Sequence, residues 1–164
     1  MLRQLFSNYF LVMGFFSWGV AQLIKVLLAL VSTKKFVPER LIGSGGMPSS
    51  HSSLVCGLAT SVFLKCGYQS VEFALALSVA AIVMYDAMGV RRAAGEQAKT
   101  LNQLVKHHEA NGGENLEIPE KSLKELLGHT PLEVLSGAVL GVVPVSYTHL
   151  DVYKRQQRNC LPAE

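Results

Sequence analysis

Charged side chains are scarce in this sequence. Only 16% of its 164 residues are Asp, Glu, Lys or Arg, while 49% are hydrophobic; a soluble domain carries charge on about a quarter of its residues. The shortage excludes a disordered chain, a basic nucleic-acid-binding tail and a charge-flanked coiled coil. Cysteine is scarce too. Cys56, Cys66 and Cys160 form no CxxC pair, and no Cys/His group has zinc-ligand spacing, so neither a disulfide framework nor a metal site is expected. Cys56 and Cys66 lie in apolar surroundings and are expected to be small packing residues. The net charge of +3 is too slight to call for a nucleic-acid partner. One small polytopic membrane domain is the class that remains.

Apolar runs are present in the right number. Tyr9 to Val31 carries a single charge, Lys25, and about 20 apolar residues cross a bilayer core. The run is too long for the apolar part of a signal peptide, and no small-residue cleavage site precedes Lys34 and Lys35. A retained helix is expected, with Lys25 snorkelling to the interface. Ser52 to Leu64 is shorter and rich in Ser, Gly, Ala and Thr, the residues that let membrane helices approach closely. Phe73 to Val90 holds one acid, Asp86. Beyond it, Leu101, Leu104 and Val105 keep a helical stripe, so the third helix is expected to continue as an amphipathic extension that Asn111-Gly112-Gly113 ends. A short helical stretch is expected near Glu120 to Leu127, and a fourth apolar segment runs from Pro131 to about Val145. Lys34, Lys35, Arg40, Arg91, Arg92, Lys99, Lys106, Lys121 and Lys124 fall in two loops on one side; the other side has Arg3 and Lys65. The positive-inside rule then places the N-terminus outside and both basic loops in the cytoplasm, provided the short second segment crosses.

The C-terminal residues read differently. Asp151-Val152-Tyr153-Lys154-Arg155-Gln156 is what GAT-GTG-TAT-AAG-AGA-CAG encodes, DNA resembling the transposase adapter end of sequencing libraries. Residues 1–145 are therefore read as the membrane domain and 146–164 as a chimeric tail that cuts the fourth helix short. A genuine polar tail is the alternative.

Three constellations could carry chemistry. In Gly43-Ser44-Gly45-Gly46-Met47-Pro48-Ser49-Ser50-His51, glycines permit tight turns and Pro48 suits the first turn of a helix. The start of that helix offers free N–H groups to an anion, with Ser49 and Ser50 adding donors and His51 able to protonate a leaving oxygen. The same residues also suit a plain Gly/Ser turn with a capping serine. In Gly128-His129-Thr130-Pro131-Leu132-Glu133, Thr130 and Glu133 have capping-box spacing. Alternatively, Glu133 orients His129 as a base or nucleophile. In Tyr85-Asp86-Ala87-Met88-Gly89-Val90-Arg91-Arg92, the adjacent arginines suit phosphate oxygens and Asp86 supports them. Positive-inside anchoring, with Asp86 paired to Lys25 or a helix dipole, is the other reading.

Those motifs, GGMPSSHSS, YDAMGVRRAAGEQAKTLN and LKELLGHTPLEVLSGAVLG, resemble the divergent branch of the type 2 phosphatidic acid phosphatase and vanadium haloperoxidase superfamily over about residues 7–144. The resemblance implies an all-α, four-span helical membrane bundle, with the third helix extended into the cytoplasm, in the plasma membrane of a bacterium. It implies His129 as a nucleophile attacking phosphorus, Glu133 as its orienting acid, and His51 as the acid that protonates the leaving group. Lys34 or Lys35 with Arg40, together with Ser49 and Ser50, would bind phosphate, and Arg91 or Arg92 would serve from another helix. Ser50 stands where the superfamily has glycine, Leu41 where it has proline after the arginine, and Leu123 where it has a further arginine. The implied activity is hydrolysis of a phosphate monoester or pyrophosphate on a lipid, with no cofactor. A non-catalytic binder of lipid headgroups or of a partner is the alternative, and a vanadate-dependent peroxidase ranks third.

Overall fold

The computed structural model describes residues 7–33, 46–111, 123 and 128–159. Its regular elements are helices: α1 (Tyr9–Thr33), α2 (Ser50–Cys66), α3 (Val71–Met88), α4 (Val90–Ala110) and α5 (Pro131–Asn159). Each start has a local cause. Asn8 Oδ1 accepts from the Phe10 amide at 3.0 Å, Ser49 is the N-cap of α2, and Ser70 Oγ accepts from the Phe73 amide at 3.1 Å. Gly67, at φ 82°, turns the chain between α2 and α3 in a conformation that costs other residues strain. Pro48 lies just ahead of the Ser49 cap rather than within the first turn of α2.

The bundle is inverted relative to a soluble protein. On α1 the buried side chains are Met13, Ser17, Ala21, Lys25 and Ala29, one every four residues, with Gly14 buried beside Met13. That spacing follows one face of a helix, and here the face is small or polar. The large apolar residues point outward, as Phe15 (60% exposed), Leu23, Leu27 and Val31 do. The same holds on α3, where Ala80 and Ala87 are buried while Leu75, Leu77, Val79 and Ile82 are exposed. An apolar exterior around a small-residue interior is what a lipid solvent favours. α1, the run from Val71 to His108, and Pro131–Thr148 are each long and apolar enough to cross a membrane. α2 is shorter and less apolar because lipid does not solvate it: α1, α3 and α5 all pack against it. At about 1.5 Å per residue it is about 25 Å long, close to the thickness of a bilayer core.

Register fixes the directions. Ser53 Oγ donates to the Ser17 carbonyl at 2.9 Å, and the Lys65 ammonium lies 5.4 Å from the Tyr9 ring centre. α1 and α2 are therefore antiparallel. α5 runs parallel to α2, since the Ser49 amide donates to the Glu133 carbonyl at 3.0 Å while Gly141 packs on Ser53 and Gly57. Close approach there depends on glycine. A Cβ on Gly137 would overlap the Ser49 carbonyl, and one on Gly141 would come within 2.6 Å of the Ser53 carbonyl and 2.8 Å of Cys56 Cβ. Gly137 and Gly141 are thus the small-xxx-small face of this crossing. Cys56 sits in the core with Val55 and Ala80, its sulfur 3.7 Å from that of Met84. Cys66 is exposed at the end of α2, contrary to the packing role expected of it.

The third helix does continue, with a bend. The Gly89 amide bonds the Tyr85 carbonyl and the Ala93 amide bonds the Gly89 carbonyl, carrying the hydrogen-bond ladder from α3 into α4. α4 ends at Ala110, at the expected Asn-Gly-Gly stop. The stretch near Glu120–Leu127 lies outside the described residues except for Leu123, whose backbone is clamped by both ends of the Asn102 amide at 2.9 and 3.1 Å. α5 does not stop near Val145 but runs to Asn159 with Pro144 inside it.

Candidate functional site

The helix directions bring four segments to one end of the bundle: the late part of α1, the start of α2, the α3–α4 bend and the start of α5. Backbone contacts lock them. The Ser49 amide donates to Glu133, and the His129 amide donates to the Ala87 carbonyl at 2.9 Å. Gly128, at φ 86°, lies directly against the Arg91–Arg92 backbone, where a Cβ would collide. The three sequence motifs, far apart in the chain, therefore share one end of the fold.

Within this end, Ser49 and Ser50 are buried. Ser49 Oγ receives the Ser52 hydroxyl at 2.9 Å and the Ser52 amide at 3.4 Å, so it acts as a helix cap. His51 is exposed on the first turn of α2. His129 is only 4% exposed, and neither ring nitrogen has a hydrogen-bond partner. Buried polar groups are nearly always bonded, and the exceptions need a reason. Burial holds this imidazole below its ordinary pKa; Glu133 opposes that shift, while Lys25, His51 and Arg91 add to it.

The acids divide. Glu133 Oε2 accepts from the Thr130 amide at 2.9 Å, and Thr130 Oγ1 accepts from the Glu133 amide at 3.3 Å. This is a complete capping box. No hydrogen bond joins Glu133 to His129, although its charge reaches the ring. Asp86 pairs with Arg91, whose Nε lies 2.6 Å from Oδ2, and not with Lys25. Arg92 pairs with Glu96 one turn along α4 at 3.2 Å, both exposed. Lys35 and Arg40, expected to bind phosphate, lie outside the described residues.

Lys25 lies where the sequence did not place it. It does not snorkel; it is 3% exposed, and the charge of Glu133 acts on it. A signal existed in the sequence: Lys25 continues the four-residue series from Met13 through Ser17 and Ala21. Which face of α1 meets the bundle could be settled only by the packing.

Among the described residues, no group of three His, Cys, Asp or Glu has the arrangement of a metal site.

Comparison with known proteins agrees with the motifs. The profile described as the Divergent PAP2 family matches residues 6–144. An uncharacterized membrane protein of Bacillus subtilis (strain 168), YuiD, is 40% identical over 147 residues, covering 85% of this chain and 93% of that protein. No solved structure matches the chain.

Proposed function

We propose, for a chain that belongs to the divergent PAP2 family of membrane proteins, that this end of the bundle binds and hydrolyses a phosphate monoester or pyrophosphate carried by a lipid. The observation that carries the reading is His129: a buried imidazole with two unpartnered nitrogens, within electrostatic reach of a second histidine. In the proposed reaction a neutral His129 nitrogen attacks phosphorus, and the bond from phosphorus to the leaving oxygen breaks. His51 gives that oxygen a proton. Water then attacks the phosphohistidine, losing its proton to His51, and releases phosphate and neutral His129. Arg91, the amides at the start of α2 and Ser50 would stabilise the charge on the equatorial oxygens. Glu133 contributes through its charge and by fixing the loop that carries His129.

We place the site on the cytoplasmic side, because the two loops that emerge at this end hold nine of the eleven basic residues sorted by loop in the sequence. The measurement is phosphate release from lipid phosphates by the full chain reconstituted in vesicles. Wild type should turn over and His129→Ala should not. A wild-type protein that releases no phosphate from any ester or pyrophosphate tested would retire the reading. One observation favours a second reading, a non-catalytic binder of lipid headgroups: the carboxylate expected to orient His129 is bonded to the Thr130 amide instead.

A further inference from the structure

We propose that Lys25, from within the first membrane helix, is a phosphate-binding cation of this site, held over the N-terminus of α2. The inference rests on the phosphate-binding half of the function proposed above and not on its hydrolytic step.

Packing register places the residue. Ser17 of α1 meets Ser53 of α2 through a 2.9 Å hydrogen bond, and the helices are antiparallel. Lys25 is two turns beyond Ser17, about 12 Å along the axis, while the Ser49 cap is one turn, about 6 Å, before Ser53. Lys25 therefore reaches past the cap to where the first amides of α2 are open. It lies on the same stripe as Ser17 and Ala21, the stripe that faces the bundle. Its surroundings are chemical as well as geometric. Its charge acts on His51 and on His129.

Burial of an ammonium in a membrane helix is costly unless a partner offsets it. Glu133 is the acid that acts on Lys25, yet no ion pair within 4.0 Å joins them among the described residues, and Glu133 Oε2 serves the capping box. An anion in this space would meet Lys25, the Arg91 guanidinium, the open amides of α2 and one of the unpartnered nitrogens of His129. The helix start supplies directed donors; His129, 96% withdrawn from solvent, is the independent sign that something polar belongs there. The group that such a donor set recognises is a phosphate dianion, whether free or at the head of a lipid. Lys25 also supplies from α1 the lysine that the sequence suggested from the loop at Lys34 or Lys35.

The test measures binding and turnover on the same samples of full chain in nanodiscs. In one arm, inorganic phosphate is titrated into protein in phosphatidylcholine. In the other, phosphatidic acid replaces part of the lipid. Removing one charged donor should weaken binding about tenfold or more. Lys25→Met should show that loss, while Lys25→Arg stays within a few-fold of wild type. Lys65→Met, which removes a charge at the opposite end, should change nothing. Loss in the first arm alone identifies free phosphate as the ligand; loss in the second alone identifies the lipid headgroup. If Lys25→Met does not fold, Lys25→Gln is read in its place. Wild-type binding that survives Lys25→Met, or a wild type that binds neither probe, overturns the proposal and leaves Lys25 a structural counter-ion of Glu133. Binding that depends on Lys25 without any turnover retires the hydrolytic reading and keeps this one. Turnover with binding indifferent to Lys25 does the reverse.

Discussion

His129 shows how burial sets chemistry at a single residue. An imidazole withdrawn from water is harder to protonate, so its folded pKa lies below the unfolded value of about 6.5. Below that value the unfolded chain binds more protons than the folded one. The stability contributed by neutral His129 is therefore complete above about pH 6.5 and is lost as pH falls through the folded pKa. Thermal unfolding from pH 7.5 to 5 should show this slope, and His129→Asn should flatten it. If the neutral ring is also the nucleophile, kcat/KM should fall over the same acid limb. Glu133 gives a separate readout. Glutamine can still accept from the Thr130 amide, so Glu133→Gln should keep the melting temperature and lower turnover through the lost charge. Glu133→Ala should also lose the cap, at about 1 kcal/mol. A Glu133→Gln variant with wild-type turnover would leave Glu133 a capping residue only.

Among the elements, the α2–α5 crossing decides whether the site exists. It sets the Ser49–Glu133 backbone bond, and with it the distance between the first motif and the last. Gly141 has no room for a methyl group, because backbone atoms of Ser53 and Gly57 and the fixed Cβ of Cys56 stand in the way. Gly141→Ala should destabilise the bundle by about 1–3 kcal/mol through overpacking and weaken phosphate binding with it. Gly19→Ala is the control, since nothing lies within 4 Å of its would-be Cβ; its melting temperature should match or exceed wild type. The end of α5 is a different matter. We propose that residues 146–164 are foreign to the domain, on the adapter-like string at Asp151–Gln156. Replacing them with an apolar helix end should raise thermal stability. A fall in stability on replacement would make the tail structural.

For the whole molecule, the antiparallel α1–α2 pair sets the direction of the short second segment, although α2 is not among the described helices long and apolar enough by themselves to cross a membrane. α2 runs the length of the bundle from the site end to the Tyr9 end, so the loops after α1 and before α5 leave from one end. The predicted topology puts that end inside. In a Cys160→Ser background, a membrane-impermeant maleimide applied to intact cells should label the exposed Cys66 and spare buried Cys56. A cysteine in place of His107, exposed on α4, should be labelled only after permeabilisation. The opposite pattern would invert the protein in the membrane.

The helical class, the membrane setting and the family were legible in the sequence because they depend on local quantities: runs of apolar residues, capping residues and contiguous motifs. The capping box at Thr130–Glu133 could be read for the same reason, as both partners lie within one turn. The expected pairing of Asp86 could not, because its choice of Arg91 over Lys25 depends on the bend at Gly89. Nor could the place of Lys25, where a single charge on an apolar helix can face lipid headgroups or the bundle with equal local propriety. Only tertiary packing chose. Once Gly57, Gly137 and Gly141 let α1, α2 and α5 close together, the small-residue stripe of α1 turned inward and carried Lys25 with it. Convergence of residues 25, 51, 91, 129 and 133 on one end is a property of helix direction and register, which no spacing along the chain encodes.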